Sequence, residues 1–363
     1  MKGKSIILLL VTLLILVVGA VNAADINNDG INADIPDSIS TDAPIVNEVE
    51  VQEKQSVSIE DTNTVEKINK KQESDTNLIK NMNNLKKDTT VSSWEDLESE
   101  INSATQDTNI TLDEGTYTVT GRIDFNKPIT ITIDGNGQSI DGNQTQVFYI
   151  NSGSSVILKN ITIKNAENTG GNGGAIYNSG NLTIINSTLK NNTATGQNGN
   201  GYGGAIYNGG TLTITQSNLT QNTATGQQYD GYGGAIYNTR SGNLNITQSN
   251  LTQNKATGQG QDGFGGAIYN GGTLTITQSN ITHNNATGQN GNGLGGAIYN
   301  NGNINITQSN LTHNTATGQE NGVGGAIYNT GTLNITQSNL TQNKATGQGQ
   351  GGYGDAIHNN YGN

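Results

Sequence analysis

The chain has 363 residues, with 50 glycines, 5% aromatic and 13% charged residues. Too few large apolar side chains are present to fill one thick core of that length, which leaves either a largely unfolded chain or a thin, elongated one. The formal net charge is −12 with no cysteine, which excludes a disulfide framework or thiol chemistry and argues against a nucleic-acid partner.

The N-terminus carries Lys2 and Lys4, an apolar run from Ile6 to Val18 and a small-residue pattern at Val21-Asn22-Ala23. These predict an export signal over residues 1–23, its apolar run being short against the ~20 residues of a membrane helix. No second apolar stretch follows, so no membrane span is expected after cleavage.

Residues 24–90 are polar and acidic, with no sustained period, and predict a disordered spacer. Within it, Asp25-Ile26-Asn27-Asn28-Asp29-Gly30 resembles half a calcium loop. The twelfth position is Pro36 instead of a bidentate Glu, so no metal site is expected there.

The folded part is expected over residues 91–363. Ser92 with Glu95 forms a capping-box pattern, and Trp94, Leu97, Ile101 and Ala104 recur at helical spacing. A short helix over residues 92–104 is predicted, covering the open end of a β-structure. Residues 105–172 follow as irregular rungs: Tyr117–Val119, Ile129–Ile133, Val147–Ile150 and Val156–Leu158 alternate in character, with turn signals such as Asp134-Gly135-Asn136-Gly137 between them.

From Gly173 to the end the sequence repeats. Gly-Gly-Ala-Ile-Tyr-Asn starts at Gly173, Gly203, Gly233, Gly265, Gly295 and Gly324, and a degraded copy starts at Gly354. A period near 30 residues without helical apolar spacing predicts stacked β-units. In the copy at Gly203, Ile206, Leu212 with Ile214, and Leu219 mark three short strands with inward apolar positions. Three such strands make one triangular coil of an all-β parallel β-helix, with Ile206 under Ile236, Leu212 under Leu244 and Leu219 under Leu251. Asn208 and Asn222 recur at equivalent corners, where left-handed turns and amide ladders between coils are expected. The Gly-rich segments Gly226–Tyr232 and Gly258–Phe264 read as loops on one edge that absorb the length variation.

These repeats resemble those of polymorphic outer membrane proteins, and more closely those of adhesin-like surface proteins of methanogenic archaea. The motifs that carry the resemblance are Gly-Gly-Ala-Ile and an apolar-x-x-Asn element such as Leu219–Asn222 or Ile281–Asn284. Leu or Ile stands where the first family has Phe, and no outer-membrane barrel is expected to follow. The resemblance implies a right-handed parallel β-helix, a secreted or cell-surface location and a non-catalytic role in binding surface glycans or other cells.

Two other readings are a polysaccharide lyase or hydrolase (or carbohydrate-binding module) and a purely structural envelope component. From Gly170 onward the acids are Asp230, Asp262, Glu320 and Asp355, against the bases Lys190, Arg240, Lys255 and Lys344. Such scattered charges do not make the acid/base pair that glycoside chemistry needs, although Asp230 and Asp262 occupy comparable positions in consecutive units. Asp113, Glu114, Asp124, Asp134 and Asp141 sit largely beside turn residues. His283 and His313 occupy equivalent positions and are expected to stack in place of Gln221 and Gln253. No cofactor, catalytic residue or metal site is expected.

Tyr177, Tyr207, Tyr237, Tyr269, Tyr299 and Tyr328 have the opposite parity to the inward Ile, which predicts an outward aromatic column. It serves either sugar binding or cross-rung stacking. Asn181, Asn218, Asn250, Asn280, Asn310 and Asn339 head Asn-x-Thr triplets, candidate glycan acceptors of which a fraction is expected to be modified. The sequence leaves the oligomeric state open.

Overall fold

The computed structural model describes residues 86–349 and 351–362. They belong to the second of two units, Met1–Thr64 and Val65–Asn363. The export signal, most of the spacer and the Asp25–Gly30 segment lie outside the described residues.

Strand β1 (Lys86–Ser93) runs parallel to β2 (Asp107–Thr118), with Val91 beside Leu112. Residues 86–90, expected to belong to the spacer, are thus part of a strand. They carry no apolar period; backbone pairing to β2 recruits them, with a Lys87–Glu100 ion pair and a bond from Asn109 Nδ2 to Asp88 beside it.

Between these strands lies helix α1 (Trp94–Ser103), the one helix among the described residues. It starts one step later than the capping box predicts. Ser93 has extended backbone angles, and its Oγ accepts from the Asp96 N–H at 3.1 Å, the geometry of an N-cap. Trp94, Leu97 and Ile101 are buried, and the Trp94 ring lies 6.1 Å from Phe148.

The remaining described chain coils as a parallel β-solenoid. Each pairing places equivalent residues side by side: Ile206 with Ile236, Leu212 with Leu244 and Leu219 with Leu251. The irregular rungs join the same ladders, with Phe148 beside Ile176, Val156 beside Leu182 and Ile163 beside Leu189. Inward apolar residues are fully buried in rung after rung, as at Ile206, Leu212, Ile214, Leu219 and Ala224.

A full repeat holds five strands, not three: Ile206–Asn208, Thr211–Thr215, Asn218–Thr220, Thr223–Gly226 and Gly231–Tyr232. The Gly-rich segment is thus not a free loop. Both of its ends pair with the next coil, and only Gln227–Asp230 turns between them. In the early rungs the chain passes from Ser139–Asp141 to Phe148–Ile150 with no such excursion, and there the three-strand coil does hold. Length variation also falls in two places. The shorter unit loses a residue at Gly318–Val323, but the longest gains two at Thr239–Gly242, where five positions separate Asn238 from Asn243 against three between Asn208 and Thr211.

The Gly-Gly pair has two separate causes. Gly203 has φ +64°, which favours a residue without Cβ. Gly204 lies so close to the coil above that a Cβ would stand 2.1 Å from the Gly234 carbonyl oxygen.

Left-handed turns fall neither at Asn208 nor at Asn222: one lies a residue before Asn222 and the other a residue before Ser217. The positive φ belongs to the exposed Gln216 (+50°) and Gln221 (+56°), and in early rungs to Asn160, Asn165, Asn186 and Asn191. The buried asparagines instead keep ordinary backbone angles and direct their amides along the stack. Asn178, Asn208, Asn238, Asn270, Asn300, Asn329 and Asn359 form one continuous ladder, each Nδ2 donating to the next Oδ1 at 2.7 or 2.8 Å. In the second, Asn192, Asn222, Asn254, Asn284 and Asn314 donate both backbone N–H and Nδ2 to the Oδ1 above, ending on Asn343. A third ladder, with no counterpart in the sequence reading, runs through Ser187, Ser217, Ser249, Ser279 and Ser309. Each hydroxyl accepts the N–H of the equivalent residue below, Ile161 for Ser187 and a serine for the others, and donates to a nearby carbonyl, as Ser217 does to Thr215 at 2.7 Å.

Replacing Asn254 by Ala removes the buried acceptor of the Asn222 N–H and of one Nδ2 hydrogen, and a donor to the Leu219 carbonyl. At roughly 1–3 kcal/mol for each unpaired buried group, Asn254→Ala is expected to cost about 3 kcal/mol or more in denaturant unfolding. Asn280→Ala, on the exposed wall, is expected to stay within about 0.5 kcal/mol of the parent.

Candidate functional site

The six predicted tyrosines do form a column on the outer side of the nine-stranded sheet, because the inward Ile beside each fixes the parity. Ring centroids are 4.7 Å apart between Tyr177 and Tyr207, 5.2 Å to Tyr237, 4.9 Å to Tyr269, and then 5.1 Å at each step to Tyr299 and Tyr328. Tyr149 extends the column at one end and His358 at the other, at 4.4 and 5.3 Å. The Arg122 guanidinium lies 4.5 Å from the Tyr149 ring centroid. The rings stack on each other, so most of the area with which an aromatic face packs on a sugar is already covered.

A second column borders the first. Tyr202, Tyr232, Phe264, Leu294 and Val323, each just before a Gly-Gly pair, stand in register in the two- and three-residue strands of the excursion. Tyr232 stacks on Tyr202 at 5.1 Å and on Phe264 at 4.7 Å. Their edges meet the first column, Tyr232 against Tyr269 at 5.2 Å and Phe264 against Tyr299 at 5.1 Å, both nearly perpendicular. The sequence signal was the apolar or aromatic residue at a fixed offset before Gly-Gly, which a loop assignment hid.

Burial pushes the phenols of Tyr207, Tyr237 and Tyr269 upward, with neighbouring tyrosines adding to it. The same two causes raise Tyr299 to about 12. Tyr232 rises chiefly by burial and next by the Asp230 charge.

Below the second column runs a polar ladder of Asn200, Asp230, Asp262, Asn292 and Asn321. Asn200 Oδ1 accepts the Asp230 N–H at 2.9 Å, Asp230 Oδ1 accepts the Asp262 N–H at 2.8 Å, and Asp262 Oδ1 accepts the Asn292 N–H at 2.6 Å. The structure thus brings Asp230 and Asp262 into one stack, each receiving a backbone N–H from the next coil. Burial is the main cause raising the Asp262 carboxyl, followed by the Asp230 charge, while bonds from Asn292 oppose the rise.

In the early rungs, Asp134 accepts the Asn136 N–H and Asp141 the Asn143 N–H, the turn geometry expected of them. Burial works against ionised Asp134, but bonds from Asn160, Lys159 and Asn136 prevail and lower its carboxyl. His283 and His313 stack at 4.8 Å on the exposed surface, at the same positive-φ position as Gln221. Among the described residues no three His, Cys, Asp or Glu gather as metal ligands.

Of the candidate glycan acceptors, Asn218, Asn250, Asn280, Asn310 and Asn339 align in one outer column. Asn250, Asn280 and Asn310 each donate Nδ2 to the preceding Oδ1 at 2.9 Å. Asn181 stands apart, in register with Thr211 on the neighbouring ladder. No helix among the described residues is long and apolar enough to cross a membrane. No known protein family, curated protein or solved structure matches the chain.

The raised phenols make stability depend on alkaline pH. A folded pKa above the unfolded value of about 10 contributes fully below that pH and is lost as pH climbs through the folded value. The native protein is therefore expected to withhold part of its near-ultraviolet tyrosinate absorbance above pH ~10, and its thermal midpoint is expected to fall between pH ~10 and the Tyr299 value of about 12. A titration matching free tyrosine would contradict the stacking.

Proposed function

We propose that the chain is an exported, non-catalytic, adhesin-like protein, a right-handed β-helix whose helix α1 lids the first rungs and whose outer wall binds neutral surface glycans or other cells. The observation that carries this reading is the outer face of two adjacent ladders. From Thr211 to Thr341 their outward positions hold Thr and Asn without a single charge, as in Thr211, Thr213 and Thr215, then Asn243, Asn245 and Thr247, then Thr273, Thr275 and Thr277.

Identical groups recur at the strand spacing of about 4.8 Å, so one weak contact is offered many times on a rigid support. Many weak contacts held at fixed spacing bind with an avidity none has alone. Hydroxyls and amides suit sugar hydroxyls, and the missing charge suits neutral sugars. The stacked tyrosines serve chiefly as support beneath this function, since cross-rung aromatic pairs each add about 0.5–1.5 kcal/mol. The asparagine column of candidate glycan acceptors lies on the same wall, so glycosylation there would mask it.

An enzyme acting on polysaccharides is the second reading, favoured by the raised Asp262 carboxyl beside Asp230. Their backbone-bonding roles favour a structural part instead. Glycan-array and whole-cell binding test the proposal. Thr213→Lys with Thr275→Lys is expected to lower binding at least tenfold, and Tyr207→Ala with Tyr237→Ala to lower stability more than affinity. Binding untouched by the lysines, or release of reducing or unsaturated ends from an acidic polysaccharide, would overturn it.

A further inference from the structure

The second aromatic column and the polar ladder beneath it vary together from coil to coil. In order, the pairs are Asn200 with Tyr202, Asp230 with Tyr232, Asp262 with Phe264, Asn292 with Leu294, and Asn321 with Val323. Only one rung has both a carboxylate and a phenol. There the Tyr232 hydroxyl donates to Asp230 Oδ2 at 2.9 Å. One coil away the polarity is reversed, with Asn200 Nδ2 donating to the Tyr202 oxygen at 2.7 Å. Tyr328 likewise accepts, from Asn360 at 2.8 Å, and Tyr117 donates to the carbonyls of Val91 and Asp113.

We infer that Tyr232 with Asp230 is a redox site, a tyrosine that a one-electron oxidant converts to a neutral radical while its proton passes to the carboxylate. The balance is simple. The oxidant gains one electron, the Tyr232 O–H bond breaks, an O–H bond forms on Asp230 Oδ2, and the phenoxyl radical remains. A phenol radical cation is a very strong acid, so oxidation is easiest where a base already holds the proton. A backbone carbonyl is too weak a base for this, and a donating amide gives no help.

Position adds to chemistry. Tyr232 lies between Tyr202 and Phe264 and meets Tyr237 and Tyr269 edge-on, at 6.0 and 5.2 Å. Those two belong to the long column, whose rings are about 5 Å apart from Tyr149 to Tyr328. An electron vacancy created on any of these rings has short steps to Tyr232, where proton transfer traps it. The oxidant class is any outer-sphere one-electron acceptor strong enough to oxidise phenol.

The test is flash photolysis of the folded protein with photo-oxidised tris(bipyridine)ruthenium, reading tyrosyl absorbance and the paramagnetic resonance signal. The parent is expected to form a radical that Tyr232→Phe removes and Asp230→Asn diminishes at least tenfold. Asparagine already fills this ladder at three other coils, so Asp230→Asn keeps the backbone bond and the fold. Phe264→Tyr supplies the missing phenol above Asp262 and is expected to raise the radical yield about twofold. An unchanged radical in Asp230→Asn, or an equal yield from Tyr232→Phe, would overturn the inference.

Discussion

Everything in this molecule depends on the constancy of one vertical relation, that each residue lies beside its own equivalent in the next coil. Buried asparagine shows why that relation is strict. An amide inside a thin apolar core is costly unless every donor and acceptor finds a partner. Here each finds one only if the coil above carries the same side chain at the same height. A shift by one residue would unpair the amides and turn every inward Ile to solvent. The polar ladders therefore hold the register, and the small apolar columns supply the burial.

Much of this was legible in the residues. The columns of Ile206, Leu212 and Leu219, both asparagine ladders, the tyrosine column and the His283–His313 stack follow from period and parity alone, because stacking copies one coil's logic onto the next. The helix was visible in Trp94, Leu97 and Ile101, and only its cap moved by one residue.

What stayed hidden has a common physical origin. Strand β1 has no apolar period in its first five residues and exists because β2 offers it an edge. The excursion through Thr223–Gly226 and Gly231–Tyr232 is too short and too rich in glycine to resemble strands in isolation. Pairing across coils makes it regular. The left-handed corners went to Gln216 and Gln221 because such a corner needs a side chain free to face water, and the adjacent buried Ser217 and Asn222 have already committed theirs. In each instance the deciding partner is some twenty to thirty residues away, outside any local window.

The two corners that accept insertions carry a different implication. At Thr239–Gly242 and Gly318–Val323 the chain gains or loses residues while the ladders on either side continue unchanged. Rungs in such a stack are interchangeable parts, and whole units can be duplicated or deleted as readily as single residues. Each one alters the reach of the molecule by a single strand spacing, about 4.8 Å. Gene-level slippage in so repetitive a sequence would thus act as a length adjustment, without any redesign of its parts.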